Sequence, residues 1–378
     1  MKLKDIGTIV TGNTPSKKNN EYYESNDILF VKPSDIEENY ITSIEKSEEY
    51  ISEKAREKAR ILPEGAVLVT CIGTIGKVGI LKQEATCNQQ INAIIPTDKV
   101  ISKYLAYLMQ SRQKILQLKA NAPVVPIINK TDFSEIEINI CDIEQQKQIV
   151  RQLDLLKSII DKRKVQIDEL QNIVKSQFVE MFQSGNYPKE ELGKLCDVRD
   201  GTHESPKYLE ESRYKFITSK NIINNEIDFS EVKYISKQDY DKFNTRSKVN
   251  YGDILMPMIG TIGKPMIVNI PDDEIDFAIK NVALIKFLGN SQVTNIYIKN
   301  LLDSDYFENA ILQNKRGGTQ KFIALSDIRK MQVEIPPIEL QNQFAEIVKQ
   351  IDKQKFEIEN SLKEMQELYE ALMERYFG

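Results

Sequence analysis

The chain has 378 residues, 41% hydrophobic and 28% charged, with a formal net charge of −5. That is room for two or three domains, each with its own core and without disulfides, and no run approaches the roughly 18 apolar residues of a membrane span. Slight acidity disfavours a protein that simply coats nucleic acid, while leaving local basic faces open.

The N-terminus, MKLKDIGTIVTGNTPSKK, has no continuous apolar stretch and no small-residue cleavage site; a cytoplasmic protein without membrane attachment is expected. Residues 1–142 then alternate short β-rich runs, ILFV, AVLVT and NAIIP, with polar turns, the pattern of a mixed α/β globule. One turn, GTIGK at 73–77, invites a phosphate-binding reading. The phosphate loop G-x-x-x-x-G-K-[ST] needs an earlier glycine and a hydroxyl after the lysine. Cys71 and Val78 stand there, so a turn joining two strands is the better account, with Lys77 open as a DNA-backbone contact.

Over 143–182 the apolar period changes. Ile149, Leu153, Leu156, Ile160, Ile167, Leu170, Val174 and Met181 follow steps of four and three, interrupted at Arg163 and Gln177. That is the seam of a long helix. Residues 183–337 return to short strands, and GTIGK recurs at 260–264, again without the first glycine (Met258) or the hydroxyl (Pro265). From 338 to 378 a second helical seam runs Phe344, Ile347, Ile351, Ile358, Met365, Leu368 and Leu372, with Gln354 and Ser361 as its polar interruptions.

The two halves are copies. ILFVKPSDI (28–36) matches YKFITSKNI (214–222), LPEGAVL (62–68) matches VNYGDIL (249–255), and LKDIGTIVTG (3–12) matches LGKLCDVRDG (192–201). Further on, TDFSEIEINI (131–140) matches SDIRKMQVEI (326–335), and IEQQKQ (143–148) matches IELQNQ (338–343). Fixed-period self-similarity of this kind marks duplication of one structural unit. Two helices of about 40 residues would each reach roughly 60 Å at 1.5 Å per residue, too long to pack only on their own globules. They are expected to bury their stripes on each other, antiparallel because a globule lies between them. The expected fold is therefore α+β: globules at 1–142 and 183–337, helices at 143–182 and 338–378.

Catalytic groups are not evident. The four cysteines, Cys71, Cys87, Cys141 and Cys196, form no C-x-x-C pair, and the single histidine, His203, cannot complete a zinc site. No carboxylate pair is placed by spacing for acid–base work. The polar loops instead carry the residue types that contact phosphates and base edges. In the first globule these are Thr14, Ser16, Lys17, Lys18, Asn19, Lys32, Ser34, Lys77, Gln89 and Gln90. In the second they are Thr202, His203, Ser205, Lys207, Ser219, Lys220, Asn221, Lys264, Lys315, Arg316, Thr319, Gln320 and Lys321. Each such loop taken singly also fits a solvated turn, and His203 fits a solvated loop residue.

Two globules, each followed by a long helix that opens on IE-x-Q-x-Q, together with LPEGAVLVTCIGTIGKVGI, VNYGDILMPMIGTIGKPMI and EIPPIELQNQFAEIVKQID, make the chain resemble the specificity subunits of type I restriction-modification enzymes. The resemblance spans essentially the whole chain. It departs at Cys141 and Asp142, where the second copy has Pro336 and Pro337. It implies two target recognition domains, each binding one half of a split sequence in double-stranded DNA, and an antiparallel helical spacer that docks modification (methyltransferase) subunits. It implies no cofactor and no catalysis in this chain. S-adenosylmethionine, ATP and magnesium would belong to the modification subunits and to restriction (translocase and nuclease) subunits. A duplicated coiled-coil scaffold that binds protein partners without DNA is the alternative.

Overall fold

The computed structural model describes residues 1–120, 126–183, 185–223, 225–259, 264–289, 291–304, 307 and 323–378. It divides into two compact units, Met1–Lys164 with Glu359–Gly378, and Val165–Ile358.

In the first unit a five-stranded sheet has the order Gly7–Thr11, Ile91–Pro96, Val67–Thr70, Val78–Leu81, Ile41–Ile44. Its neighbours pair antiparallel except the last two, which are parallel. A three-stranded sheet has the order Glu49–Ile51, Ile28–Val31, Ala85–Cys87, the last pair parallel. ILFV and VLVT are buried at every position, because both faces of these strands are covered; they read as continuous apolar runs rather than as alternation. The helix Ser102–Ser111 buries Tyr104 to Met109 in the same core as Val67, Val69 and Ile94.

The second unit repeats the plan. One sheet has the order Cys196–Asp200, Val282–Phe287, Ile254–Pro257, Met266–Ile267, and another Lys233–Tyr234, Lys215–Thr218, Phe277–Lys280, with two-stranded pairs Ile222–Ile223/Glu226–Ile227 and Lys189–Glu191/Gln332–Glu334 beside them. Pairing of the edge strand of the larger sheet covers five residues in each unit, Gly7↔Pro96 to Thr11↔Asn92 and Cys196↔Phe287 to Asp200↔Ala283. The match of KPSD with TSKN also has a physical cause. Lys32 N donates to Asp35 Oδ2 at 2.7 Å, and Thr218 N donates to Asn221 Oδ1 at 3.0 Å, so the fourth residue caps the same short turn in both copies.

Gly12 and Gly201 follow the edge strands Gly7–Thr11 and Cys196–Asp200, where a neighbouring strand end passes very close. A Cβ on Gly12 would lie 2.1 Å from the Asn88 carbonyl oxygen, and one on Gly201 2.3 Å from that of Ile279. Backbone carbonyls cannot swing aside as side chains do. Gly201→Ala is therefore expected to destabilise the protein by about 1–3 kcal/mol, the range for overpacking. Thermal denaturation checks this, and an unchanged Tm would show that the strand end adjusts freely.

The long helices are Ile143–Phe182 and Ile338–Phe377. In the first unit Ile149, Val150 and Leu153 share a core with Tyr369, Leu372, Met373, Tyr376 and Phe377, and Tyr376 donates to Gln152 Oε1 at 2.6 Å. In the second unit Val174, Phe178, Met181 and Phe182 share a core with Leu340, Phe344 and Val348. The start of each helix thus meets the end of the other, which makes the pair antiparallel, and the α+β architecture is the one the repeat and the periodicity indicate. Lys164 Nζ donates to Tyr40 OH at 3.0 Å, and Lys157 Nζ lies 3.8 Å from the Tyr40 ring centroid. This hydrogen bond, with the charge of Lys157, lowers the Tyr40 phenol below its ordinary range and ties the first globule to its helix.

Along the seam, Leu153, Leu156, Ile160, Phe344 and Ile351 are buried, while Ile149, Ile167, Leu170, Val174, Met181, Ile347, Ile358, Met365 and Leu372 are half-buried. Two corrections apply. Leu368 is 47% exposed; a four-residue step from Met365 to Tyr369 replaces the expected three-residue step, and Tyr369 joins the core. In the second unit Phe178 and Phe182, 4% and 3% exposed, join the seam beside the expected interruption at Gln177.

Gln146 and Gln341, the fourth residues of IEQQKQ and IELQNQ, are both fully buried. Gln146 Oε1 accepts from Ile101 N at 2.9 Å, and its Nε2 donates to Lys99 O and Cys141 O at 3.0 and 2.8 Å. Gln341 Oε1 accepts from Thr294 N at 2.8 Å, and its Nε2 donates to Gln292 O and Pro336 O at 3.0 and 2.9 Å. One amide thus fastens the start of each helix to its globule by three bonds.

Candidate nucleic-acid interface

At one end of the first globule the loops singled out in the sequence converge. Gly12 N donates to Ile91 O at 3.0 Å, Asn88 N to Val31 O at 3.1 Å, and Cys71 N to Gln90 O at 2.8 Å. Thr14 Oγ1 donates to Gln89 Oε1 at 2.8 Å, and Lys77 Nζ to Pro33 O at 3.2 Å. The segments after Thr11, Val31, Thr70 and Cys87 therefore form one polar surface, although they come from distant parts of the chain.

Within it, Thr14, Ser16, Lys17, Lys18, Ser34 and Gln89 are exposed. Ser16 Oγ accepts from Lys18 N at 3.4 Å and Ser34 Oγ donates to Glu48 Oε2 at 3.3 Å. Asn19 and Gln90 have local duties: Asn19 Oδ1 accepts from Glu21 N at 3.2 Å, and Gln90 Oε1 accepts from Asn88 Nδ2 at 2.8 Å. Lys32 is paired with Glu49, whose carboxyl is held below its usual value by that hydrogen bond.

The GTIGK turn is a folded hairpin loop. Gly73 and Gly76 have φ of 76° and 88°, the left-handed region that glycine enters at low cost. The amides of Gly73, Gly76 and Lys77 donate to Pro126 O, Thr70 O and Thr70 Oγ1 at 3.2, 2.9 and 3.0 Å. With these donors engaged internally, the loop lacks the ring of amides that cradles a phosphate. In the second copy Lys264 is exposed, and residues 260–263 lie outside the described residues.

The second globule gathers the equivalent loops. His203 Nδ1 is 2.9 Å from Asn281 Oδ1 and its Nε2 is 2.8 Å from Asp200 Oδ2. Lys280 Nζ donates to Ser205 Oγ at 2.6 Å, Ser219 Oγ to Asn281 O at 3.1 Å, and Glu204 N to Thr202 Oγ1 at 3.1 Å. Lys207 and Lys220 are exposed. Asn221 does not belong with them: it is 8% exposed, and besides capping Thr218 its Nδ2 donates to Asp228 O at 3.2 Å. Lys315, Arg316, Thr319, Gln320 and Lys321 lie outside the described residues.

Two arginines escaped the sequence reading. Arg60 Nη1 donates to Thr11 O at 2.6 Å, and Arg246 Nη2 pairs with Asp200. Thr11 and Asp200 each end the edge strand of the larger sheet in their globule. A signal existed: each arginine stands two or three residues before the LPEG or VNYG match.

Chemistry beyond binding finds little support in these groups. Burial pushes the thiols of Cys71, Cys87 and Cys196 up to about 12, far from a reactive thiolate. Among the described residues no group of three or more His, Cys, Asp or Glu could hold a metal ion, and no helix is long and apolar enough to cross a membrane.

Two globules of one fold, each gathering polar loops at one end and each fastened by a buried glutamine to a long helix, define a duplicated recognition protein. A family model described as the type I restriction modification DNA specificity domain matches residues 1–172 and 186–368. The chain belongs to that family. It is 26% identical to the type I restriction enzyme MjaIX specificity subunit of Methanocaldococcus jannaschii, over 98% of this chain and 90% of that one. It is 33% identical to the HindI specificity subunit of Haemophilus influenzae over 44% of this chain and 38% of that one. Its fold is similar to the crystal structure of a type I restriction-modification S subunit from M. genitalium, with a TM-score of 0.59, 13% identity, and 100% and 95% of the two chains covered. A structure described in terms of complex assembly and conformational transition of the type I R-M system matches with a TM-score of 0.60 at 16% identity, over 100% and 96%.

Proposed function

We propose that this chain is the sequence-reading subunit of a type I restriction-modification complex. Residues 1–142 read one half of a split target in double-stranded DNA, residues 183–337 read the other, and the helices set the spacing and dock modification subunits. The observation that carries this reading is the convergence of matching loops at one end of each globule with unlike residues on them. TGNTPSKKNN in the first corresponds to RDGTHESPKY in the second. Two copies of one scaffold with different polar tips suit two different half-sites, since base edges are distinguished by donor and acceptor pattern. Joining two readers raises the effective concentration of the second half-site once the first is engaged.

Two helices of 40 residues, roughly 60 Å each at 1.5 Å per residue, are long enough to bridge half-sites one DNA turn, about 34 Å, apart. Methylation at adenine N6, with the base extruded from the duplex, falls to S-adenosylmethionine-binding modification subunits. ATP- and magnesium-dependent cleavage falls to restriction subunits.

The test is to express the chain with modification subunits and sequence the N6-methyladenine positions. A split motif is expected. Replacing residues 1–142 with those of a related subunit should alter one half of that motif and leave the other. Change in both halves would refute independent readers, and absence of any DNA retention by the assembled complex would favour a protein-binding scaffold.

A further inference from the structure

Asp200 has a side chain only 9% exposed, yet it holds two polar partners. Its Oδ1 accepts from Arg246 Nη2, and its Oδ2 is 2.8 Å from His203 Nε2. Arg246 itself is 68% exposed. Its own carbonyl accepts from Arg199 Nη1 at 2.7 Å, and Arg199 is paired at 2.6 Å with Asp197. An exposed guanidinium is thus anchored at one nitrogen by a buried carboxylate, and its backbone is fixed by a second arginine.

The first globule makes the same placement by other means. Arg60 Nη1 is held by the Thr11 carbonyl at 2.6 Å. Arg60 N donates to Asn13 Oδ1 at 2.8 Å, while Asn13 Nδ2 donates to Lys58 O at 2.7 Å. Each globule thus sets an arginine at the end of an edge strand, Gly7–Thr11 or Cys196–Asp200, and a different group holds it in each.

We propose that Arg246 and Arg60 each read a guanine in the half-site of their own globule, with Asp200 as the positioning residue for Arg246. The assignment rests on the proposed DNA-reading function and deepens it. The Arg246–Asp200 pair carries no net charge, which makes it a poor phosphate ligand beside exposed lysines such as Lys207 and Lys220. A planar guanidinium with its orientation fixed is well matched to the O6 and N7 acceptors of guanine in the major groove. The ion pair also removes part of the rotamer freedom that an exposed arginine would otherwise lose on binding.

The experiment measures competitive binding of the chain assembled with its modification subunits to duplexes that vary one base pair at a time across both half-sites. Arg246→Ala and Arg246→Lys should each reduce the preference for guanine roughly tenfold to a hundredfold at one position of one half-site. Lysine keeps the charge but not the fork. Arg60→Ala and Arg60→Lys should do the same at one position of the other half-site, and Asp200→Asn should weaken the preference that Arg246 confers. A uniform loss across all duplexes would identify phosphate contacts and overturn the assignment, as would an unchanged preference profile. A wild-type complex with no sequence preference would overturn the DNA-reading function and this assignment with it; a selective wild type with indifferent variants overturns the assignment alone.

Discussion

Gln341→Leu is expected to lower the Tm of the second unit by roughly 6–12 °C, and Gln146→Leu to do the same to the first. Each substitution puts an apolar side chain of similar size in a fully buried position but leaves three backbone groups without their amide partner. For Gln341 these are Thr294 N–H and the carbonyls of Gln292 and Pro336. An orphaned buried polar group costs about 1–3 kcal/mol, so the total is on the order of 3 kcal/mol or more. At 2–4 °C per kcal/mol for a body of this size, the shift is readily measured by calorimetry. A change of less than about 2 °C in both variants would mean that water or a local rearrangement replaces the amide.

Phe344→Ala is the second large effect. Its ring is fully buried, with centroids 5.5 and 5.4 Å from those of Phe178 and Phe182 in edge-on contacts, and Phe182 lies 4.9 Å from Tyr297. One truncation therefore opens a cavity bounded by both long helices and the helix Asn295–Leu302. A cost of about 3–5 kcal/mol is expected. Leu368→Ala, on the exposed side of the same helix, should stay within about 0.5 kcal/mol. Urea denaturation of the two variants in parallel separates the outcomes, and equal losses would contradict the seam described above.

The architecture was legible because duplication and period are both properties of the string. GTIGK at two places exposed the copies, and steps of four and three exposed the helices. The details that escaped depend on which residue a helix turns inward. Phe178 is hidden by the polar Gln177 beside it, and Leu368 reads as a seam position because steps of three and four residues from Met365 fit the period equally well. IE-x-Q-x-Q was visible as a repeated phrase, but nothing in it says that the fourth residue, and not the third or sixth, is the buried one. Only the backbone groups of Lys99 and Ile101, or of Gln292 and Thr294, reveal that.

The interface was legible at the level of loops. Convergence of residues 12–19, 32–35, 71–77 and 87–90 followed once strand order was known, since all four segments leave the sheets at the same end. Single residues were harder. Asn221 has the chemistry of an adenine reader and is a turn cap. Arg246 lies in the last turn of an ordinary polar helix, Lys237–Ser247, and acquires its meaning only from Asp200, 46 residues earlier.

The buried glutamines and the polar loops occupy opposite ends of the same strands. In the first globule Gly12 and Asn88–Gln90 lie at one end of the pair Gly7–Thr11 and Ile91–Pro96, and Lys99 and Ile101 follow its other end. The second globule repeats this with Gly201 and Asn281 at one end of Cys196–Asp200 and Val282–Phe287, and Gln292 and Thr294 beyond the other. Five residues of strand, roughly 17 Å, separate tip from mount, and they are backed by a core that tip substitutions do not enter. Mutations that retune what a globule recognises are thereby insulated from the joint that attaches it. Such a protein can acquire a new target by drift in a handful of surface positions without relearning how to assemble, and each half can do so on its own schedule.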